Sequence, residues 1–385
     1  MFKINRTEES KLTSWYFEID RKLLIMVFGM ILVAMIMAIS SGSAMFVRTG
    51  GKIQWYIFFC RMIPFYIMGV VAMIWVSMVS KKTVMRIAWA DFILCFILLI
   101  GTLLFPHEIN NSRRWLLLPG LPRVMPSDLM KPGFVMVTAW FISKMRDIYE
   151  GDMFNLHRTL FQVKTWSWAW YLVPLVIVLV IQFWHPDFGT MALYLGTFFI
   201  MLVLAGLPGK WIASMIGIGG GLFALGVTFL PHVRARTLAL FGSVDPHSQI
   251  GFALRAIRNG GLFGAGDKAH VVESLPMAES DFILSVICEN FGAIASCGLI
   301  VLLVVVFWRL LHQSRCVRDD FTSNAIAGTA AMFGIQVCIN LASTLRIMPA
   351  KGMTLPFISH GGSSFVAYCV LFGMVLALMR EDKWK

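Results

Sequence analysis

The 385-residue sequence predicts an all-α integral membrane protein, a polytopic bundle of about ten transmembrane helices with a large extracytoplasmic loop between the seventh and eighth. Three observations carry this. Hydrophobic residues make up 58% of the chain and charged residues 14%, where soluble proteins have about 25%. Mean hydropathy is +0.75. Apolar stretches of about 20 residues recur without the strict alternation that a membrane barrel requires. The seven cysteines form no CxxC pair, so neither a disulfide framework nor a metal cage is expected from them.

Taken in order, the spans fall near 23–43, 55–79, 84–105, 132–145, 167–184, 190–208, 210–231, 281–310, 322–345 and 356–379. Residues 1–22 and 380–385 then form polar tails around a single membrane domain, 23–379. No small-residue cleavage site follows the first apolar run, so the N-terminal segment reads as a cytoplasmic tail. The fourth span, "PGFVMVTAWFISKM", is short for a crossing and is expected to tilt or to continue from an irregular segment shielded by its neighbours. With both termini inside, cytoplasmic segments carry about 19 Lys and Arg and outer segments about 13, the sense that basic-loop asymmetry favours. The outer loops, chiefly 106–131 and 232–280, are still basic, which points to an anionic substrate; attraction to lipid headgroups explains part of that charge.

Three stretches hold chemistry. In "AESDFILSVICENFG" (278–292), Asp281, Ser285, Cys288, Glu289 and Gly292 share a narrow arc at about 100° per residue, a polar stripe on an apolar rod. Asp281 reads either as an N-terminal cap or as a reactive carboxylate facing a cavity. Glu289 lies roughly 12 Å into the span. There a carboxylate either contacts substrate or pairs with a cation such as Arg61. In "NNSRRWLLLPGLPRVMPSDLMKPG" (110–133), Arg114 and Trp115 suit a phosphate and a sugar face. Pro126, Ser127 and Asp128 begin a helix there, with Lys131 one turn later. In "MPAKGMTLPFISHGGSS" (348–364), Lys351 is external, and the Gly-Gly-Ser-Ser run permits close helix packing. "GGLFGAG" and "GIGGG" lack the GK[ST] of a phosphate loop and read as packing or flexible segments.

These stretches, in this order along nearly the whole chain, resemble the shape, elongation, division and sporulation (SEDS) family, the FtsW and RodA peptidoglycan polymerases. The family's "RW…PSE…K" appears as Arg114-Trp115, Pro126-Ser127-Asp128 and Lys131, and its "QPDxGT" as His185 to Thr190. "GGxxGxG…LPE…DFI…E" appears as Gly260 to Gly266, Leu275-Pro276, Asp281-Phe282-Ile283 and Glu289. "LPFISYGGSS" appears as Leu355 to Ser364, a highly specific match. The chain departs from the pattern at Met125, Asp128, His185, Met277, Asn290 and His360. The opening "YFEIDRKLLIMVFGMILVAMIMAISSGSA" is closer to division-type FtsW than to elongation-type RodA.

The resemblance implies polymerisation of lipid II at the outer face of the bacterial cytoplasmic membrane, with Asp281 as general base and undecaprenyl pyrophosphate as leaving group. Arg61, Arg114, Trp115, Ser127, Lys131, Asp187, Gln249, Glu289, Lys351 and Ser363 are then the expected substrate contacts. It further implies a divalent cation (Mg or Mn) without a protein metal site. The partners it implies are a class B penicillin-binding transpeptidase, other division proteins and membrane lipid, with no nucleic acid. A transporter of lipid-linked precursor is the rival reading, but it wants charge near the midplane and matching broken spans. A binding scaffold for division proteins is a third.

Overall fold

The computed structural model describes residues 11–48, 55–104, 115–116, 124–148, 172–185, 187–229, 234, 237–238, 240, 242, 244–349 and 352–382. Arg114, Lys351 and most of the 106–131 loop lie outside the described residues. A short amphipathic helix, α1 (Lys11–Glu18), leads into the bundle. Every predicted span contains a helix among the described residues: α2 (Arg21–Arg48), α3 (Trp55–Met78), α4 (Lys81–Leu104), α6 (Lys131–Ile148), α7 (Val173–Trp184), α8 (Phe188–Leu204), α9 (Gly209–Phe229), α11 (Ile283–Cys316), α12 (Asp320–Thr344) and α13 (Gly362–Asp382). One-turn α5 (Pro126–Leu129) precedes α6, and α10 (Gln249–Gly260) lies in the loop before α11. Six helices, α2, α3, α4, α11, α12 and α13, are long and apolar enough to cross a membrane.

Two of these form the centre. Within their membrane-length windows, α13 is 83% buried and α12 72%, against 28% for α3, α4 and α11. Outward-facing apolar side chains such as Trp75, Trp184 and Trp308 therefore need lipid rather than water around them. The centre packs through α3 on α13, α11 on α12, and α6 and α8 on the other flank of α12.

The short fourth span has a physical explanation. α6 starts inside the bundle rather than at its rim, directly after α5, with Pro126 in the first turn of that one-turn helix. The amide of Gly133, left without an intrahelical acceptor, donates to Asp91 Oδ2 on α4 at 2.9 Å. A half-buried carboxylate on a neighbouring helix thus caps a helix that begins within the apolar layer.

The tenth span starts six residues later than its apolar pattern, at Gly362, because residues 353–361 fold into the bundle as coil. Phe357 holds a left-handed φ of 64° and packs against Phe365, Tyr368 and Phe372. The Leu355 amide donates to Ser359 Oγ at 2.8 Å. Irregular backbone at this depth is tolerated because protein groups satisfy it.

At the end where the described chain begins and ends, charges tie the elements together. Arg309 bonds Asp20 Oδ2 at 2.8 Å, and Asp20 Oδ1 caps the Leu23 amide of α2. Lys81 pairs with Asp319, which also caps α12 through the Thr322 amide at 2.8 Å. The Lys81 amide donates to Glu381 of α13.

Candidate functional site

At the opposite end, the stripe predicted on 278–292 is cut by a break. α11 continues to Cys316, but Gly292 stands at φ 84° and ψ 176°, a conformation essentially confined to glycine. The break frees amides of the following turn, and the 260–266 run meets them. Ala293 donates to the Gly261 carbonyl at 2.9 Å and Ile294 to that of Leu262 at 3.3 Å. In return, Ala265 donates to the Glu289 carbonyl at 2.7 Å. A Cβ on Gly260, Gly264 or Gly292 would collide with facing backbone, so the "GGLFGAG" glycines are there for close approach.

Glu289 corrects an expectation. It neither contacts an open cavity nor pairs with Arg61: it is fully buried and accepts from the Val271 amide at 2.9 Å, the Val272 amide at 2.7 Å and Asn259 Nδ2 at 2.7 Å. Its carboxylate latches the outer loop onto α11. Three charge-assisted bonds explain how an acid remains inside an apolar helix.

Asp281 is placed differently. α11 uses Phe282 as its N-cap and takes no side-chain cap, so capping by Asp281 is not how this helix starts. Asp281 closes a turn, its amide donating to the Met277 carbonyl at 3.0 Å, with Met277 at φ 58°. The carboxylate is half-buried and lies beside Gly352, where an added Cβ would stand 3.4 Å from Oδ2. The 352–361 segment is joined to this turn by a bond from the His360 amide to the Glu279 carbonyl at 2.9 Å. Beside them, a narrow cleft between α2 and α3 is lined by Ser41, Tyr66, Glu279 and His360 over an apolar floor.

Arg61 is exposed on α3, close enough to His360 to bear on its protonation. Burial first, and then that guanidinium, push the His360 pKa from 6.5 down to about 4.

A second polar layer lies deeper. Lys131, 1% exposed, pairs with Asp128 Oδ1 at 2.7 Å. It also donates to Gln336 Oε1 at 2.8 Å and Ser364 Oγ at 3.3 Å, with the Tyr368 ring 5.1 Å away. This corrects its reading as an open cation: all its donors are engaged. Ser363 donates to Asp128 Oδ2 at 3.4 Å, which puts it in this network, and Ser127 is buried with its carbonyl accepting from Tyr194.

Three expected contacts stand apart from both layers. Asp187 caps α8 through the Thr190 amide and hydroxyl at 3.2 and 2.8 Å, and is 2% exposed. Gln249 is exposed at the start of α10. Trp115 is half-buried beside the Leu116–Val124 bridge.

What joins the two layers was missed in the sequence. Gln336 and Asn340, four residues and about 6 Å apart on one face of α12, span them. Gln336 Nε2 donates to the Thr354 carbonyl at 2.8 Å, and Asn340 Nδ2 donates to the Met353 and Asp281 carbonyls at 2.7 and 3.0 Å. The available signal was two amides at i and i+4 in an apolar span, where such side chains require partners.

This architecture is that of a polytopic membrane protein with an acidic turn held at one end of the bundle over a buried charged network. The family model of the cell cycle proteins FtsW, RodA and SpoVE matches residues 21–384, and the chain belongs to that family. It is 34% identical over 382 residues to a probable peptidoglycan glycosyltransferase FtsW of Caulobacter vibrioides, covering 98% of this chain and 93% of the relative. A protein of the same description from Thiomicrospira cyclica is 29% identical over 375 residues, covering 95% and 92%. Among solved structures, the fold matches a chain of a peptidoglycan synthase complex that coordinates polymerization and crosslinking, with a TM-score of 0.72 at 22% identity, covering 95% and 99% of the two chains. Rod shape-determining protein RodA of Thermus thermophilus matches with a TM-score of 0.67 at 22% identity, covering 94% and 97%.

Proposed function

We propose that this chain is a peptidoglycan glycosyltransferase of cell division that polymerises lipid II. Asp281 acts as general base at the outer face of the cytoplasmic membrane. The observation that carries this reading is the half-buried Asp281 carboxylate, which borders Gly352 at the start of the 352–361 segment. In the reaction, the 4-hydroxyl oxygen of the acceptor attacks the anomeric carbon of the growing strand. The bond from that carbon to pyrophosphate breaks, undecaprenyl pyrophosphate departs, and the hydroxyl proton passes to Asp281. Positioned proton transfer of this kind is worth about 10²–10⁴ in rate. Charge on the departing pyrophosphate is met by cations. Arg61 is one, with Arg114 and Lys351 carried over from the sequence. Lys131 serves instead to fix the floor beneath.

A divalent cation, implied by the resemblance, would add positive charge at the departing pyrophosphate. Among the described residues no three His, Cys, Asp or Glu stand together as a cage. Both termini are assigned to the cytoplasm, in keeping with the Lys and Arg asymmetry of the loops. A class B penicillin-binding transpeptidase is the assigned partner, in line with the fold's likeness to a chain of a polymerising and crosslinking complex.

The test supplies lipid II to the outer side only of vesicles holding the full chain and its transpeptidase, with glycan strands read on a gel. Strands are expected without any translocation. Their absence from a correctly folded complex would overturn the assignment.

A further inference from the structure

The geometry points to Asn340 as the positioning residue for Asp281, an inference that rests on reading Asp281 as the base. Asn340 is fully buried on α12, and its single NH2 group serves two chain segments: Asp281 through its carbonyl at 3.0 Å and Met353 through its carbonyl at 2.7 Å. The amide orientation is set by this network, because turning it over would set Oδ1 against two carbonyl oxygens. The bond to Met353 also fixes its neighbour Gly352, and Gly352 is the backbone that borders the Asp281 carboxylate. One side chain thereby sets the spacing between the acidic turn and the segment facing it.

The arrangement leaves Oδ1 of Asn340 buried without a hydrogen-bond partner. A stranded acceptor lowers stability, so this amide is retained for where its donors hold the chain rather than for net stabilisation. Asn340 touches no reacting atom and acts only through the backbone of Asp281. Gln336, one turn deeper, holds the Thr354 carbonyl in the same manner above Lys131.

The experiment uses the full chain with its transpeptidase and measures kcat and KM for lipid II, lipid II binding stoichiometry and melting temperature. Asn340→Ala is expected to lower kcat by about 10–100-fold, the effect of a small misplacement of a catalytic group. KM is expected to stay within about twofold and the binding stoichiometry to equal that of wild type, since ground-state binding is untouched. Asn340→Ser, whose hydroxyl reaches only one carbonyl, is expected to give an intermediate loss, and it decides the matter if the alanine variant does not fold. A folded Asn340→Ala or Asn340→Ser with wild-type kcat overturns the inference, and so does a loss of kcat matched by an equal loss of lipid II binding. Asp281→Asn is run alongside. If it is inactive while the Asn340 variants behave as wild type, only the positioning role fails; if it is active, the base assignment fails whatever Asn340 does.

Discussion

His360 stands where relatives of the resembled family have tyrosine, and its environment disfavours charge. Burial and the nearby Arg61 hold its pKa at about 4, against 6.5 when unfolded. Between those values the unfolded chain binds more protons than the folded one, so stability falls as pH drops through the window, by up to about 1.4 kcal/mol per pH unit. His360→Tyr is expected to flatten the melting temperature of the purified protein from pH 6.5 to 4; an unchanged slope would show that the imidazole does not sense this site. Among the acids of 278–292, the pattern identified which residues mattered but not how they divide the work. Asp281 and Glu289 share a helical arc in the sequence, yet the Gly292 break and the returning glycine loop turn Glu289 into a latch. A helical-wheel argument assumes that both residues lie in one helix, and α11 starts at Ile283, after Asp281. The enclosure of Lys131 was illegible for a related reason: beyond the nearby Asp128, its partners Gln336 and Ser364 lie more than 200 positions away in the chain.

The spans themselves were legible because the bilayer demands a definite length of apolar helix, and that demand is written residue by residue. Breaks within spans were not, since a glycine in an apolar stretch reads equally as packing. Gly292→Ala tests the break directly. The added Cβ meets the Leu262 carbonyl and a backbone conformation reserved for glycine, so a loss of about 1–3 kcal/mol or more is expected from strain alone. It would appear as a lower melting temperature and faster hydrogen exchange at Ala293 and Ile294; wild-type values would mean that α11 runs straight. The early start of α6 belongs to the same class. The shortness of "PGFVMVTAWFISKM" signalled an interrupted crossing, while the capping carboxylate of Asp91 came from a different span and left no local trace.

The bundle as a whole is held at one end by ion pairs and left open to chemistry at the other. Asp20 is 5% exposed and bonded to Arg309, so removing one partner strands a charge. Arg309→Met alone is expected to cost up to about 3 kcal/mol, and Asp20→Asn in the same chain to restore most of it. Equal melting temperatures for the single variant and wild type would remove this clasp from the account. Basic loops, apolar spans and the acidic turn all fit the proposed reaction: an anionic lipid-linked donor bound at the far end from the clasp, attacked by an acceptor hydroxyl whose proton passes to Asp281. The most direct measurement is the rate of glycan-strand growth by Asp281→Asn, normalised to bound lipid II. The rate is expected to fall by at least about a hundredfold with binding within about twofold of wild type. Growth within about threefold of wild type would contradict the central role given to that carboxylate.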